Sequence, residues 1–235
     1  LKGVVGDISA VVAGVDTWNE EVFALAPHLK VIARFGVGVD NIDTAKAKEH
    51  GITVTNCLGA NSNSVSEHAM VLLSSVRMVP RLIETTRRGQ WERAVYHEFT
   101  EMTIGLLGFG AIARMLAEKL QPFGARLIAY DLYPNQEEAE RLGVTLVSEQ
   151  ELFQTSDVIS VHIPSLPSTY HKINAETIAE MKDGVHIINT ARGPIIDEKA
   201  LYDGFLCRIL LGRPIRRPNR MRIMTDAEEL QHRRS

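Results

Sequence analysis

The sequence predicts an α/β protein whose main domain is a doubly wound parallel sheet. Short apolar runs alternate with amphipathic helical stretches along most of the 235 residues, and this is the β-α-β rhythm of a parallel sheet. Runs such as "VHIIN" are apolar enough to be buried on both faces, as strands of parallel sheets are. A glycine-rich turn, "GFGAIA", follows one of these strands and begins a helix. Together these observations predict the doubly wound arrangement.

The first α/β block occupies the start of the chain. The runs "SAVVAGV", "KVIARF" and "ITVTN" predict three strands, and "NEEVFALAPHL" and "NIDTAKAKEHG" predict the helices between them. Gly51 closes the second of these helices. From Ser62 to about Trp91 the pattern predicts one long helical region that Pro80 kinks or breaks. A long helix in this position suits a connector between domains.

The second block begins at Met102. Its strands are predicted at "MTIGLL", "ARLIAYD", "VTLV", "DVISVHIP" and "VHIIN", and its helices at "AIARMLAEKLQPFG", "NQEEAERLG", "SEQELFQTS", "NAETIAEMKDG" and "DEKALYDG". We therefore predict three regions: a partial first domain (residues 1–75), the doubly wound domain (76–204) and an Arg-rich tail (205–235). The tail has eight Arg, no Lys and three acidic residues, unlike the mixed charges before it.

The composition is that of an ordinary soluble globular protein, with 45% hydrophobic and 23% charged residues. A net charge of −3 gives no reason to expect nucleic acid or an anionic membrane as a partner. The chain has no apolar run of the roughly 18 residues that a membrane span requires. Cys57 and Cys207 lie far apart, which argues against a disulfide framework and fits a reducing cytoplasm.

The turn Gly108-Phe109-Gly110-Ala111-Ile112-Ala113 fits the G-x-G-x-x-G/A pattern of dinucleotide-binding Rossmann domains. Gly108 permits the tight turn, Gly110 lets the backbone approach a pyrophosphate, and Ala113 allows close helix packing. Asp131 ends the next strand, where an acid accepts hydrogen bonds from the ribose 2′-OH of NAD and repels the 2′-phosphate of NADP. The pattern predicts NAD; a plain glycine turn with a capping Asp is the alternative.

Two further strand ends carry polar side chains. His162 and Pro164 leave the strand "DVISV" together, and Thr190 and Arg192 follow the strand "VHIIN". Arg192 is either a clamp for a carboxylate or one member of a surface ion pair, and His162 is either catalytic or structural. No histidine has the spacing of a metal ligand, so no metal site is predicted.

The first block has a glycine loop of its own, "ARFGVGVDNID". Gly36 and Gly38 free the backbone to present successive N–H groups to a small anion, and Arg34 adds positive charge beside them. The alternative is an ordinary strand-to-helix turn capped by Asp40 or Asp43.

With these loops identified, the sequence resembles the D-isomer-specific 2-hydroxyacid dehydrogenases. Five segments carry the resemblance, in the family's order, across about residues 1–204: "RFGVGVDNID", "NSNSVSEHA", "GLLGFGAIA…YD", "VHIPSLPST" and "MKDGVHIINTARGPIIDEKAL". It implies an NAD-binding domain inserted into a flavodoxin-like substrate domain, here only partial, and a homodimer when the protein is complete.

The resemblance also implies roles for individual residues. Arg192 would hold the carboxylate and carbonyl of the substrate, and the backbone of Val37 and Gly38, with Asn61 nearby, would bind the carboxylate. NAD would be surrounded by Gly108, Gly110, Ala111, Ile112, Asp131, His162, Ile163, Pro164, Thr190 and Ala191.

Within the family the segments "RFGVGVDNID" and "NSNSVSEH" are most similar to 3-phosphoglycerate dehydrogenase, whose reaction begins serine synthesis. That resemblance makes Arg34 a partner for the substrate phosphate. Glyoxylate/hydroxypyruvate reductase, a non-catalytic NAD-binding module and a degraded gene product are the alternatives.

The resemblance stops near Gly204. The family's acid/base histidine and the glutamate that orients it lie in "PHIGS"-like and "DVFEEEP"-like segments, which the sequence lacks. We also expect the last strand of the NAD domain, its return helix and an N-terminal part of the family pattern to be missing, and turnover to be impaired. A shifted reading frame or chimeric end explains residues 205–235; a genuine basic tail is the alternative.

Overall fold

The chain folds into two compact units, Leu1–Asn63 and Ser64–Ser235. The structure, a computed structural model, describes residues 1–76, 79–93, 97–210 and 223–224, with only the backbone described for 205–210 and 223–224. The predicted domain boundary between residues 75 and 76 stays a prediction.

The first unit is a three-stranded parallel sheet in the order β1-β2-β3. Its elements are β1 (Ala10–Ala13), α1 (Glu20–Ala24), β2 (Val31–Arg34), α2 (Thr44–Glu49) and β3 (Thr53–Thr55). Both helices begin at a polar cap that accepts a backbone N–H of the first turn: Asn19 for α1 and Asp43 for α2. Trp18, Phe23 and Ile32 are among its fully buried core residues.

The second unit contains a six-stranded, wholly parallel sheet in the order β6-β5-β4-β7-β8-β9. Its strands are β4 (Thr103–Leu107), β5 (Arg126–Tyr130), β6 (Val144–Leu146), β7 (Val158–Val161), β8 (His186–Asn189) and β9 (Ile223–Met224). This is the strand order of a doubly wound dinucleotide-binding sheet. The fold class predicted from the sequence is therefore confirmed.

Helices flank this sheet in two hydrophobic clusters. They are α3 (Ser62–Val76), α5 (Ala111–Leu120), α6 (Gln136–Arg141), α7 (Glu149–Thr155), α8 (Ala175–Glu180) and α9 (Glu198–Leu210). The helix α4 (Val79–Arg87) follows α3 and has no buried residue. All five residues of β4 are buried, with Leu106 in the cluster that includes Leu116 and Leu107 in the cluster that includes Phe153. Burial on both faces explains why β4 is apolar after Thr103.

The expectation that the last strand of this sheet is missing was wrong. Ile223 and Met224 pair in parallel with Ile187 and Ile188 of β8. The strand forms because the backbone groups on that side of β8 need hydrogen-bond partners. It was not predicted because a two-residue strand among arginines has no alternating pattern of apolar and polar residues. The remainder of residues 211–235 lies outside the described residues.

The predicted long helical region consists of α3 and α4. Pro80 is the second residue of α4, where a missing N–H costs no helical hydrogen bond. Residues 77–78 between the two helices lie outside the described residues. Among the described residues, no helix is both long and apolar enough to cross a membrane.

Candidate active site

The polar loops of the second unit leave the carboxyl ends of four neighbouring strands. Asp131 follows β5, Gly108 follows β4, His162 follows β7 and Thr190 follows β8. The strands are parallel, so these loops share one edge of the sheet. The chain order reverses between β4 and β7, where open α/β sheets bind their ligands.

Gly108 occupies a position that only glycine tolerates. Its φ is +95°, and a Cβ placed there would lie 2.9 Å from Cγ2 of Ile163 and 3.0 Å from the carbonyl carbon of His162. The turn after β4 and the loop after β7 therefore touch through their backbones. This contact explains the first glycine of the motif in physical terms.

Gly110 faces open space instead. Its φ of −74° suits any residue, and a Cβ there would meet no atom within 4 Å. Gly110 caps α5 without a side-chain acceptor for the first turn, so the first N–H groups of α5 remain available to an anion. Ala111 is exposed and Ile112 half-buried at this helix start, while Ala113 is fully buried.

Asp131 is half-buried beside the turn. Its Oδ2 accepts a hydrogen bond of 2.7 Å from the N–H of Phe109, and its Oδ1 accepts one of 2.9 Å from the N–H of Tyr133. A carboxylate has about four acceptor positions. Two hydroxyl groups of a ribose can therefore still donate to the same side chain.

His162 is half-buried, and its Nε2 lies 2.9 Å from Oγ of Ser160, a fully buried residue of β7. Burial lowers the pKa of His162 to about 4, so the imidazole is neutral at neutral pH. In the unfolded chain histidine has its ordinary pKa of about 6.5. As the pH falls below that value the unfolded state takes up the proton first, and the folded state loses stability until about pH 4.

The segment after His162 closes on itself through Thr169. The Thr169 hydroxyl donates to the carbonyl of Pro164 at 2.6 Å and accepts from the N–H of Leu166 at 2.8 Å. Thr169 is buried and Pro164 is exposed. The hydroxyl therefore shapes the loop that carries Ile163 and Pro164.

Asn189, the last residue of β8, holds the loop that contains Arg192. Its side chain is 4% exposed. Its Oδ1 accepts the N–H of Ala191 at 2.9 Å, and its Nδ2 donates to the carbonyl of Arg192 at 2.8 Å. The oxygen and the nitrogen of the side-chain amide thus both form hydrogen bonds with the backbone, one on each side of the Ala191–Arg192 peptide bond. Arg192 is half-buried and donates from Nη1 to the carbonyl of Ala191 at 2.8 Å.

Thr190 lies inside this loop, and its hydroxyl group is in an unusual environment. Its Oγ1 is buried and has no hydrogen-bond partner within the described part of the chain. Buried hydroxyls in native proteins are normally satisfied. A hydroxyl left open at this edge of the sheet is suited to a polar group of a ligand.

The segment that follows Arg192 is fixed by the residues after the Thr169 loop. The N–H of His171 donates to the carbonyl of Pro194 at 2.9 Å, and the N–H of Ile173 donates to that of Ile195 at 3.0 Å. His171 has a φ of +50°, an uncommon conformation for a residue other than glycine. The loops after β7 and β8 are therefore joined.

In the first unit, Arg34 organises the glycine loop after β2. Its Nε donates to the carbonyl of Gly38 at 3.0 Å, and its Nη1 donates to those of Phe35 at 2.7 Å and Ala13 at 3.4 Å. A Cβ on Gly36, whose φ is +151°, would lie 3.2 Å from the guanidinium carbon. Most of the donors of Arg34 thus bind the protein's own backbone.

The same loop leaves other backbone groups available. The carbonyl of Val37 accepts from Nδ2 of Asn56 at 2.6 Å, but within the described part of the chain the N–H groups of Val37 and Gly38 have no acceptor. Asp43 caps α2, as one alternative for this turn expected. Asn61 is exposed just before α3. The predicted anion site at this loop stays a prediction.

The residues at the edge of the larger sheet fit a dinucleotide. Open space lies over Gly110, the N–H groups at the start of α5 are uncapped, and the Thr190 hydroxyl is buried without a partner. Asp131 supplies acceptors for a ribose on the opposite side of the turn. Among the described residues no group of three or more His, Cys, Asp or Glu side chains is arranged to hold a metal ion.

A comparison with known families identifies the family to which the chain belongs. Residues 69–207 match the family model of the D-isomer specific 2-hydroxyacid dehydrogenase, NAD binding domain. The chain belongs to the D-isomer specific 2-hydroxyacid dehydrogenases. The resemblance inferred from the five sequence segments is confirmed, and the second unit contains the NAD-binding domain of this family.

Relatives within the family differ in substrate. The chain is 46% identical over 186 residues to a hydroxypyruvate reductase of Thermotoga maritima, covering 78% of this chain and 60% of that protein. It is 40% identical over 190 residues to the D-3-phosphoglycerate dehydrogenase of Mycobacterium tuberculosis, covering 80% of this chain and 36% of that protein. The chain thus spans 60% or less of the length of either relative.

Solved structures of the family have the same fold. The D-lactate dehydrogenase of Aquifex aeolicus, in complex with NAD and lactic acid, superposes with a TM-score of 0.80 at 32% identity, covering 88% of this chain and 63% of that one. The apo D-lactate dehydrogenase of Escherichia coli gives a TM-score of 0.83 at 29% identity, covering 99% and 73%.

Two residues that shape the candidate site were missed in the sequence. Ser160 lies in β7, which is otherwise apolar, and Asn189 ends β8 directly after two buried isoleucines. A polar residue in a buried strand must have a hydrogen-bond partner, and that was the available signal. That signal did not specify the partners themselves, which are the loop just after Asn189 and the histidine just after the strand that contains Ser160.

Proposed function

We propose that the protein to which this chain belongs catalyses NAD-dependent oxidation of a D-2-hydroxy acid, or the reverse reduction of the 2-oxo acid. One observation carries the proposal: the glycine turn, Asp131, the His162 loop and the Arg192 loop lie at the ends of adjacent parallel strands. A dinucleotide pocket and a substrate-binding arginine on one sheet edge suit hydride transfer to or from a small acid.

The cofactor residues are proposed as follows. The pyrophosphate would lie over Gly110 at the start of α5, beside Ala111 and Ile112, and Asp131 would accept from the adenosine ribose. His162, Ile163, Pro164, Thr190 and Ala191 would line the remainder of the pocket. When bound, NAD supplies the group that accepts the hydride.

His162 is proposed to bind rather than to transfer protons. A base with a pKa of about 4 is poorly matched to proton abstraction at neutral pH, since general bases work best with pKa values near the working pH. Its neutral ring, oriented by Ser160, can instead donate or accept a hydrogen bond inside the pocket.

Arg192 is the proposed ligand of the substrate carboxylate and carbonyl, because a guanidinium can contact a carboxylate through two parallel hydrogen bonds. In the first unit, the N–H groups of Val37 and Gly38 are proposed to bind the carboxylate, with Asn61 nearby. These are separate proposals for the two units.

3-Phosphoglycerate is the first candidate substrate, with oxidation to 3-phosphohydroxypyruvate. The support is the similarity of the glycine loop and the charge of Arg34, whose Nη2 is not among the donors that hold the loop. Hydroxypyruvate or glyoxylate reduction is the second candidate, favoured by the 46% identity to a hydroxypyruvate reductase. An NAD-binding module without catalysis is the third.

The three candidates can be separated by one set of assays. NAD binding to the purified chain is measured by calorimetry, and NADH is followed by absorbance with 3-phosphoglycerate, hydroxypyruvate or glyoxylate. The variant Arg192→Gln is the control for substrate binding. NADH formation from 3-phosphoglycerate that Arg192→Gln abolishes supports the first candidate. NADH consumption with hydroxypyruvate or glyoxylate that Arg192→Gln abolishes supports the second, and NAD binding without turnover of any of these acids supports the third.

A homodimer is proposed as the assembly. In support, no residue of α4 is buried, and Ile83 on this helix and Trp91 beyond it are 48% and 89% exposed. Large apolar side chains left in water are typical of an interface. Light scattering on the wild type and on an Ile83→Glu variant tests this, with an Arg87→Glu variant as the control for added charge.

A further inference from the structure

The carboxylate of Asp131 binds backbone groups on two sides as well as facing the proposed ribose position. We infer that Asp131 is a positioning residue for the pyrophosphate turn, so that cofactor choice and turn geometry cannot be changed separately at this residue. The inference rests on the proposed NAD site but concerns contacts within the protein alone.

Asp131 and the turn face each other across two paired strands. Leu107 and Tyr130 are partners in the β4–β5 register, and the N–H of Gly108 donates to the carbonyl of Tyr130 at 2.8 Å. Phe109 comes one residue after Gly108, and Asp131 comes one residue after Tyr130. The 2.7 Å bond from the Phe109 N–H to Oδ2 therefore extends the sheet pairing by a side-chain contact at the turn itself.

The Phe109 side chain holds the turn from the other direction. It is 3% exposed and packs in the core cluster that includes Ala113 and Leu116. The turn is thus fixed at Phe109 by its ring and by its N–H, between two glycines that have no side chains to hold them. With the N–H of Phe109 bound to Asp131, the N–H groups of α5 are the ones left for phosphate.

The second oxygen keeps the carboxylate in place. Oδ1 accepts the N–H of Tyr133 at 2.9 Å, two residues along the chain, in a local bond of the kind that Asp forms with following backbone. Both oxygens are therefore acceptors in the folded protein. An Asn side chain can accept at only one of these two positions, because its amide nitrogen is a donor.

This arrangement has a consequence for cofactor selection. Removing the acid would relieve repulsion of a 2′-phosphate, which by itself should favour NADP. The same change would release the N–H of Phe109 and loosen the turn that both cofactors need. A single substitution of Asp131 should therefore weaken NAD binding without producing NADP binding.

The test compares Asp131→Asn with the wild type and with Asp43→Asn as a matched control. Asp43 caps α2 by accepting the N–H of Lys46, and Asn caps helices as well as Asp does. NMR-detected hydrogen exchange reports the protection of the Phe109 and Tyr133 amides without cofactor, and calorimetry reports NAD and NADP binding. Amides of β7 serve as reporters of the global fold.

We expect Asp131→Asn, whose single amide oxygen can accept at only one of the two positions, to lower the protection of either the Phe109 or the Tyr133 amide by about 10- to 100-fold, as loss of a hydrogen bond to a charged group implies. Protection in β7 should fall less, NAD affinity should fall by at least about tenfold, and NADP affinity should not rise. Asp131→Glu keeps two carboxylate oxygens on a longer side chain. The protection of its Phe109 amide should lie between that of the wild type and that of a variant in which this amide has lost its acceptor. Asp43→Asn should change none of these quantities.

Unchanged protection of both the Phe109 and the Tyr133 amides in a folded Asp131→Asn variant would overturn the inference, and so would a gain of NADP binding with both protections intact. If Asp131→Asn unfolds globally, Asp131→Glu provides the test. The inference is contradicted if Asp131→Glu lowers the protection of the Phe109 amide, relative to the wild type, no more than it lowers the protection of the β7 amides. A wild type that does not bind NAD while Asp131→Asn loses Phe109 protection refutes the proposed function and leaves the positioning role standing.

Discussion

Replacement of Gly108 by Ala tests the physical reason for the first glycine of the motif. Gly108 has a φ of +95°, and a Cβ there would lie 2.9 Å from Cγ2 of Ile163 and 3.0 Å from the backbone N of the same residue. Ala at this position must therefore adopt a backbone conformation that L-residues avoid and must also push another strand's loop away.

The magnitude follows from these two effects. A residue with a side chain in a positive-φ conformation costs about 1–2 kcal/mol, and displacing packed backbone costs about 1–3 kcal/mol. Restricting the unfolded chain recovers about 0.4–1 kcal/mol. We expect Gly108→Ala to lower the free energy of unfolding by about 2–4 kcal/mol, which is a large share of the 5–15 kcal/mol typical of a domain.

Two other glycines provide matched controls. Gly143 has a φ of +61° but no atom within 4 Å of a Cβ, so Gly143→Ala contains the conformational cost alone, about 1 kcal/mol. Gly110 has open space and an ordinary φ of −74°. Gly110→Ala should keep the stability of the wild type and lose at least about tenfold in NAD affinity, because the methyl group occupies the approach to the pyrophosphate.

Denaturant unfolding gives the stabilities of the three variants, and calorimetric titration with NAD gives the affinities. The reasoning fails if Gly108→Ala is no less stable than Gly143→Ala, since the close approach to Ile163 would then cost nothing. It also fails if Gly110→Ala binds NAD like the wild type.

Three further predictions concern the strand ends beside this turn. Between about pH 6.5 and pH 4 the free energy of unfolding should fall by up to about 3 kcal/mol through His162, and His162→Asn should flatten the unfolding curves measured across that window. Asn189→Ala should cost about 2–4 kcal/mol in denaturant unfolding, because two part-buried backbone groups lose their partners; a change below about 0.5 kcal/mol would contradict that role. Thr190→Val removes a buried hydroxyl without a partner, so the melting temperature without cofactor should stay equal or rise while calorimetry detects weaker NAD binding.

The doubly wound sheet and the glycine turn could be predicted from the sequence because their signals are local. The apolar strand "TIGLL", the two glycines and the following helix lie within twenty residues of one another, and each has a mechanism that requires it. Asp131 was predictable for the same reason, since it ends the next strand. The additional bond from Asp131 to Phe109 was not predictable, because it depends on the position of one side chain relative to one N–H group.

Arg34 shows more clearly which property of the site the sequence could not predict. From the sequence it is a positive charge next to a glycine loop, which indicates an anion ligand. In the folded unit three carbonyls accept from its Nε and Nη1. Charge is visible in a sequence, but the competition between a ligand and the protein's own backbone for the same donors is decided by geometry.

A common principle connects Asp131, Asn189 and Arg34. Each side chain binds the backbone of a loop that is proposed to contact cofactor or substrate: the glycine turn, the Arg192 loop and the loop after β2. Loops at the ends of strands lack the regular hydrogen bonds of the sheet, so their backbone groups need other partners. Supplying those partners from residues at the strand ends orders a loop before any ligand arrives, which lowers the entropy lost on binding. Substitutions at these three positions should therefore change ligand affinity even where the side chain itself never touches the ligand.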